Sequence, residues 1–237
     1  MSTMEFATRL GRIPLLFSPG EGYNYSFSAD VLGAIVEKIS GMKFSEFLSE
    51  RIFKPLEMKD TGFWVPEESQ NRLSKVYKQT ENGLEEFNYN HLMINLKGDH
   101  APSFESGGAG LFSTLDDFSH FAAMLLNRGE YNGIRLLQPA TVNYMTEASM
   151  SDEAFKMRKM TDGYTGYEYA NLMRIMKNPS LSTVMTSEGE YGWDGWLGPY
   201  FINDPVDKVT FLLMLQRCDT GTNTYTRRIR NIVFSAV

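Results

Sequence analysis

Three scattered histidines, His91, His100 and His120, and one cysteine, Cys218, are the first residues of this chain to weigh for chemistry. His91 with Asp99 and His100 resembles part of a metal-ligand set, but reads more simply as solvated loop residues. His120 falls on an expected helix between Ser119 and Phe121, partly exposed. The counts permit a Ser-His-Asp triad, but no motif supports one. G-x-S-x-G, the P-loop and H-E-x-x-H are all missing. One cysteine excludes an internal disulfide framework and a cysteine-based zinc site. The Gly107, Gly108 and Gly110 cluster lacks G-x-G-x-x-G and reads as a tight turn, not a phosphate cradle. One Ser-x-x-Lys exists, Ser40–Lys43; beside Gly41 it reads as the end of a helix.

The positioning elements follow from pattern. Ser2 and Glu5 have capping-box spacing, and Met4, Phe6, Ala7 and Leu10 form a stripe, predicting a first helix. A helix from residue 2, with no strand before it, suggests a chain that opens in mid-fold. Pro19, Gly20 and Gly22 mark a loop. Ser28 is the expected cap of a second helix, with Asp30 in its first turn and Val31, Leu32, Ile35, Val36 and Ile39 inward. A third runs from about Phe44 to Phe53, with Phe44, Phe47, Leu48 and Ile52 inward, and Pro55 stops it. Residues 63–105 are polar and irregular, with short strand-like runs. Ser113, three residues before Asp116, is the expected cap of a helix with Leu115, Phe118, Phe121 and Leu125 inside. Pro139 opens another helix.

After residue 160 the period becomes strand-like. Tyr167–Met176 reads as one strand; GEYGWDGW, GPYFIND and KVTFLLMLQ read as others, the last two joined by a turn at Asp204–Asp207. RRIRNIVFSAV closes as a helix with Ile229, Ile232 and Val233 on one face. The expectation is α+β: a single domain over 1–237, helical to about 160, with strands and a last helix over about 161–237.

Composition bounds the function. The chain has 237 residues, 42% hydrophobic and 22% charged, which excludes disorder; with net charge −6 nothing in it resembles a polyphosphate grip, so nucleic acid is not an expected partner. No apolar run approaches the ~20 residues of a membrane span. MSTMEFATRLGR has no apolar signal core, which points to the cytoplasm if the chain is complete. Methionines and phenylalanines at helical spacing read as core filler or the wall of an apolar pocket.

Four patterns in fixed order stand out: FSPGEGYNYSFSADVLGAIVEKISG (17–41), ERIFKPLEMKDTGF (50–63), ESGGAGLFSTLDDFSHFAAMLLNRGEYNGIRLL (105–137) and GEYGWDGWLGPYFINDP (189–205). Together they resemble the serine β-lactamase-like hydrolases: class C β-lactamases, D-alanyl-D-alanine peptidases and β-lactamase-fold esterases. The resemblance implies that fold, a small-molecule ester or amide substrate and no cofactor. It also implies three catalytic elements. In the first, Ser-x-x-Lys, the serine is acylated. In the second, Tyr-x-Asn or a looser Tyr-Ser-x, the tyrosine relays protons; Tyr25 matches it. The third is a Lys-Thr-Gly strand, often Trp-x-Gly in esterase-like members; Trp193, Asp194 and Gly195 match it, with the Trp196 N–H as the oxyanion donor. Phe27 stands where lactamases have asparagine, and Trp193 where they have lysine. With the charge of Asp194 these turn the expected substrate towards neutral esters.

The first element has no match. Ser40–Lys43 follows Tyr25 instead of preceding it. The expectation is therefore a chain without the family's amino-terminal part and its nucleophile, inactive alone, with an unpaired sheet edge that recruits a second copy or the missing segment. The alternative is a non-catalytic ligand-binding or scaffold protein on the same fold.

Overall fold

The structure, a computed structural model, describes residues 1–157 and 164–236. The chain divides into two compact units, one of residues 1–16 and 25–118, the other of residues 17–24 and 119–237. The boundary expected near residue 160 lies outside the described residues.

In the first unit, α1 (Thr3–Leu10) begins as its sequence predicts: the Ser2 hydroxyl accepts the Glu5 N–H at 3.1 Å. α2 (Ser28–Ser40) does not. Ser28 is its first helical residue, and Phe27 sits at the cap without a side-chain hydrogen bond. The reason lies in Asp30, a buried carboxylate that accepts the Ser106 hydroxyl at 2.5 Å and the Gly108 N–H at 3.4 Å. The helix start is thus fixed by a distant loop, so it needs no local cap. α3 (Phe44–Leu48) runs on into a π-helical turn, Ser49–Phe53, and closes before Pro55.

The loop at Glu105–Gly110 holds all three of these helix starts. Glu105, buried, accepts from the Ser45 N–H (2.6 Å) and hydroxyl (2.7 Å) in the first turn of α3. Its own N–H donates to the Thr3 hydroxyl at 2.9 Å. A carboxylate suits a helix N-terminus, where the peptide dipoles leave positive charge. Gly107 is obligatory here: a Cβ would lie 2.2 Å from the Ala29 carbonyl oxygen of α2.

Two expected faces are corrected. In α2 the buried positions are Asp30, Gly33 and Ala34, with Phe44 against Gly33, whereas Leu32, Ile35 and Ile39 are exposed, Ile39 at 82%. Small residues let α3 approach closely, which turns the larger ones outward. In α4 (Leu115–Leu126) Leu115 is exposed and the buried residues include Asp117, Ala122, Met124 and Leu125. Its first turn is capped by Thr114, whose hydroxyl accepts the Asp117 N–H at 3.1 Å. Ser113 instead bonds the Thr61 hydroxyl at 2.8 Å. Asp117 accepts the Asp60 N–H and the Thr61 hydroxyl, both at 2.7 Å, joining the K-D-T-G turn to the start of α4. Within residues 63–105 a two-stranded hairpin forms from β1 (Tyr77–Thr80) and β2 (Gly83–Glu86).

The second unit holds a small hairpin, β3 (Glu130–Tyr131) with β4 (Ile134–Arg135), then α5 (Pro139–Glu147), with proline at its first position as expected, and α6 (Asp152–Met157). Its main sheet is antiparallel in the order β5 (Tyr167–Ala170), β6 (Met173–Met176), β7 (Tyr191–Asp194), β8 (Tyr200–Asp204) and β9 (Val209–Leu213). The single strand expected over Tyr167–Met176 is two, because Asn171 (φ 50°) and Leu172 (φ 65°) turn the chain between them. The turn after β8 is as expected, with Asp204 accepting the Val206 and Asp207 N–H groups at 2.9 and 3.1 Å.

α7 (Thr224–Phe234) covers one face: Phe234 packs with Tyr200, Ile202 and Phe211. Side chains alternate along a strand, so Asn203 points the other way and donates to the Ala122 carbonyl of α4 at 2.8 Å. The sheet thus lies between two helices. The apolar face expected for α7 is corrected. Thr226, Arg230 and Phe234 are its buried residues, while Ile229, Ile232 and Val233 are exposed. Arg230 can take that place because Glu190 ion-pairs with it in full burial and the Tyr200 hydroxyl lies 2.9 Å away. β9 pairs with β8 alone among the described residues.

Candidate active site

Tyr25 and Phe27 belong to the first unit and residues 193–196 to the second. Tyr25 precedes α2 by three residues and is 62% exposed. Phe27 is half-buried, its ring edge-on to Phe6 of α1 at 5.2 Å. Ser40 and Lys43 serve helix ends. The Ser40 hydroxyl donates to the Val36 carbonyl at 2.7 Å, Gly41 follows at φ 72°, and Lys43 begins α3 with its N–H on Glu46.

Trp193 and Asp194 end β7, where β8 flanks them through the pairs Trp193–Phe201 and Asp194–Tyr200. The chain then turns sharply. The Gly195 N–H donates to the Pro199 carbonyl at 2.9 Å, and Gly198 (φ 92°) closes the turn on the Gly195 carbonyl, also at 2.9 Å. A second loop braces it: the Trp196 indole N–H reaches Asp219 at 2.6 Å, and the Thr220 N–H reaches the Trp196 carbonyl at 3.1 Å.

Asp194 does not offer its charge to solvent. Its side chain is 4% exposed and is paired at 2.6 Å with Arg174, itself 1% exposed. Tyr164 donates a further hydrogen bond to it at 2.6 Å. The Arg174 guanidinium lies 4.5 Å from the Tyr200 ring centroid and 6.0 Å from that of Trp193. Burial alone would lower the Arg174 pKa, but Tyr200 and Asp194 outweigh it and hold the group charged, above its usual range. Burial, and then the charge of Asp194, push the Tyr164 hydroxyl up. The charge attributed to Asp194 as a repellent of anions is therefore compensated from within.

Trp193 also stands in an aromatic row. Tyr169 meets it edge-on at 5.0 Å, and Tyr23, in the segment just ahead of Tyr25, meets Tyr169 at 5.3 Å. Sequence reasoning passed over Arg174, Tyr164, Tyr169 and Asp219. An arginine in the apolar run M-R-I-M requires a carboxylate partner only where both faces of the strand are covered, as they are here. His100 pairs with Asp99 at 2.6 Å, and His120 stacks on Tyr131 at 4.9 Å. Among the described residues no group of three or more His, Cys, Asp or Glu side chains is arranged to hold a metal ion, and no helix is long and apolar enough to cross a membrane.

Comparison with known proteins agrees with this architecture. EstCE1, described as a hydrolase with promiscuous acyltransferase activity, superposes with a TM-score of 0.83 over 99% of this chain and 62% of its own, at 22% identity. An uncharacterized protein of Mycobacterium tuberculosis is 30% identical over 213 residues, 88% of this chain and 52% of that one. An N-acetylmuramyl-L-alanine amidase of Bacillus subtilis is 28% identical over 237 residues, 92% of this chain and 49% of that one. The chain thus spans about half the length of the curated relatives it matches. The β-lactamase family model matches residues 2–233, and on that match, with this sheet and its flanking helices, the chain belongs to the β-lactamase family.

Proposed function

We propose that the chain carries two of the three working parts of an esterase-like serine hydrolase, one that acts on neutral esters through an acyl-serine. Tyr25 is the proton relay. The strand end at Trp193, Asp194 and Gly195, with the Trp196 N–H, holds the acyl group and its oxyanion. The observation that carries the preference for neutral substrates is the Arg174–Asp194 pair. With Trp193 in place of a lysine, and Asp194 paired with Arg174, residues 193–196 themselves carry no uncompensated charge to attract a substrate carboxylate.

The third part has no match in the 237 residues, since no Ser-x-x-Lys precedes Tyr25. The chain on its own is therefore expected to form no acyl-serine. The test is incubation with p-nitrophenyl acetate and with a serine-reactive phosphonate. No serine adduct and no Tyr25-dependent turnover are expected. Stoichiometric labelling of one serine, with turnover lost in Tyr25→Phe, contradicts the reading. The same missing pair favours one other reading, a non-catalytic ligand-binding or scaffold protein on this fold. That reading gains if the gene supplies no Ser-x-x-Lys in frame ahead of Met1.

A further inference from the structure

A cavity of about 270 Å³ opens in the first unit, and none of residues 193–196 lines it. Its floor is apolar: Phe53 and Phe63 are buried beneath it, and Leu73 and Trp64 form part of the wall, Trp64 being 40% exposed. The backbone that delivers Phe53 is the π-helical turn Ser49–Phe53, which also brings Ser49 to the lining. Such turns are uncommon and recur at functional sites.

The mouth is polar and its charges are unequal. Arg72 is committed to Asp60 through two hydrogen bonds, of 2.9 and 2.5 Å, so these charges cancel. Lys59 also lines the mouth and makes no hydrogen bond or ion pair among the described residues. The cavity thus combines an aromatic floor with one uncommitted cation. An apolar cavity of ~150 Å³ accommodates a benzene ring, so this one has room for a ring, a charged group and water.

We propose that this cavity is a binding site for a small amphipathic anion: a carboxylate on an aromatic ring or a short apolar chain. Lys59 meets the carboxylate, and Phe53, Phe63 and Trp64 hold the apolar body. The site is independent of the hydrolase reading, because a different set of residues forms it.

The test uses the full chain and benzoate as probe, with neutral benzamide as the isosteric control. The three tryptophans give three indole N–H resonances, and Trp64→Phe assigns the one at this cavity. Benzoate is expected to shift the Trp64 resonance saturably, with a dissociation constant on the order of millimolar. Lys59→Met, an exposed change that leaves the far-ultraviolet circular dichroism intact, weakens binding roughly three- to fivefold, the scale of a solvent-exposed ion pair. Lys59→Arg retains it, and benzamide binds as weakly to the parent as benzoate does to Lys59→Met. Unchanged affinity in Lys59→Met overturns the proposal. So does benzoate that moves the Trp193 or Trp196 resonance and leaves that of Trp64 in place.

Discussion

Asp194 shows how much a single side chain depends on what lies behind it. In a Trp-Asp-Gly strand it reads as a negative charge facing substrate; in the fold it is the counter-ion of a buried arginine. Removing one member of such a pair strands the other in a medium that solvates it poorly. Asp194→Asn is therefore expected to destabilise the protein by about 3–5 kcal/mol, read as a lower urea midpoint at unchanged slope. The double change Arg174→Met with Asp194→Leu should cost less than Asp194→Asn alone, since no charge is left unpaired. Tyr25→Phe, at an exposed position, should stay within about 0.5 kcal/mol of the parent. Tyr25, Phe27 and residues 193–196 could be put forward from the sequence because short patterns surround them. Arg174 was not, because its partner is twenty residues on, and only the sheet register brings the two together.

Local signals predict the starts of α1 and α5, whereas the start of α2 is fixed from a distant loop. α1 is capped by Ser2 and α5 opens on Pro139, both within one turn of sequence. α2 is held by Ser106 and packs through Gly33 and Ala34, so neither its cap nor its inner face follows from hydrophobic spacing. Gly107→Ala tests that dependence directly. Its Cβ would meet the Ala29 carbonyl oxygen at 2.2 Å, and a loss of at least ~1–3 kcal/mol is expected, measured by thermal unfolding. The β5–β6 hairpin was missed because its turn places a leucine at positive φ, a position that sequence rules reserve for glycine or asparagine. Leu172→Gly relieves that conformation and is expected to raise stability by up to ~1 kcal/mol, provided the half-exposed leucine contributes little burial. A lower melting temperature would show that its side chain matters more than its backbone.

For the molecule as a whole, buried tyrosines set the alkaline limit. Burial pushes Tyr191 up to about 12. Burial first, and then Asp194 or Glu190, raise Tyr164 and Tyr167. Each folded value lies above the unfolded ~10, so the unfolded chain loses these protons first. Their contribution is fully present below pH ~10 and is lost as the pH rises through the folded values. Denaturant midpoints should be level up to that point and fall steeply by pH ~12, with tyrosinate absorbance rising in the same transition. The edge position of β9, paired with β8 alone among the described residues, has a different consequence: an edge strand of this kind can pair with other chains. At tens of micromolar the chain is expected to dimerise or aggregate, and a monodisperse monomer by light scattering counts against this. The functional account itself requires that the Tyr25 phenol and the strand end near Gly195 act on one acyl group. The most direct measurement replaces Tyr25 with p-benzoylphenylalanine, irradiates the chain and maps intramolecular adducts by mass spectrometry. The account predicts adducts on residues 193–196; adducts confined to other segments contradict it.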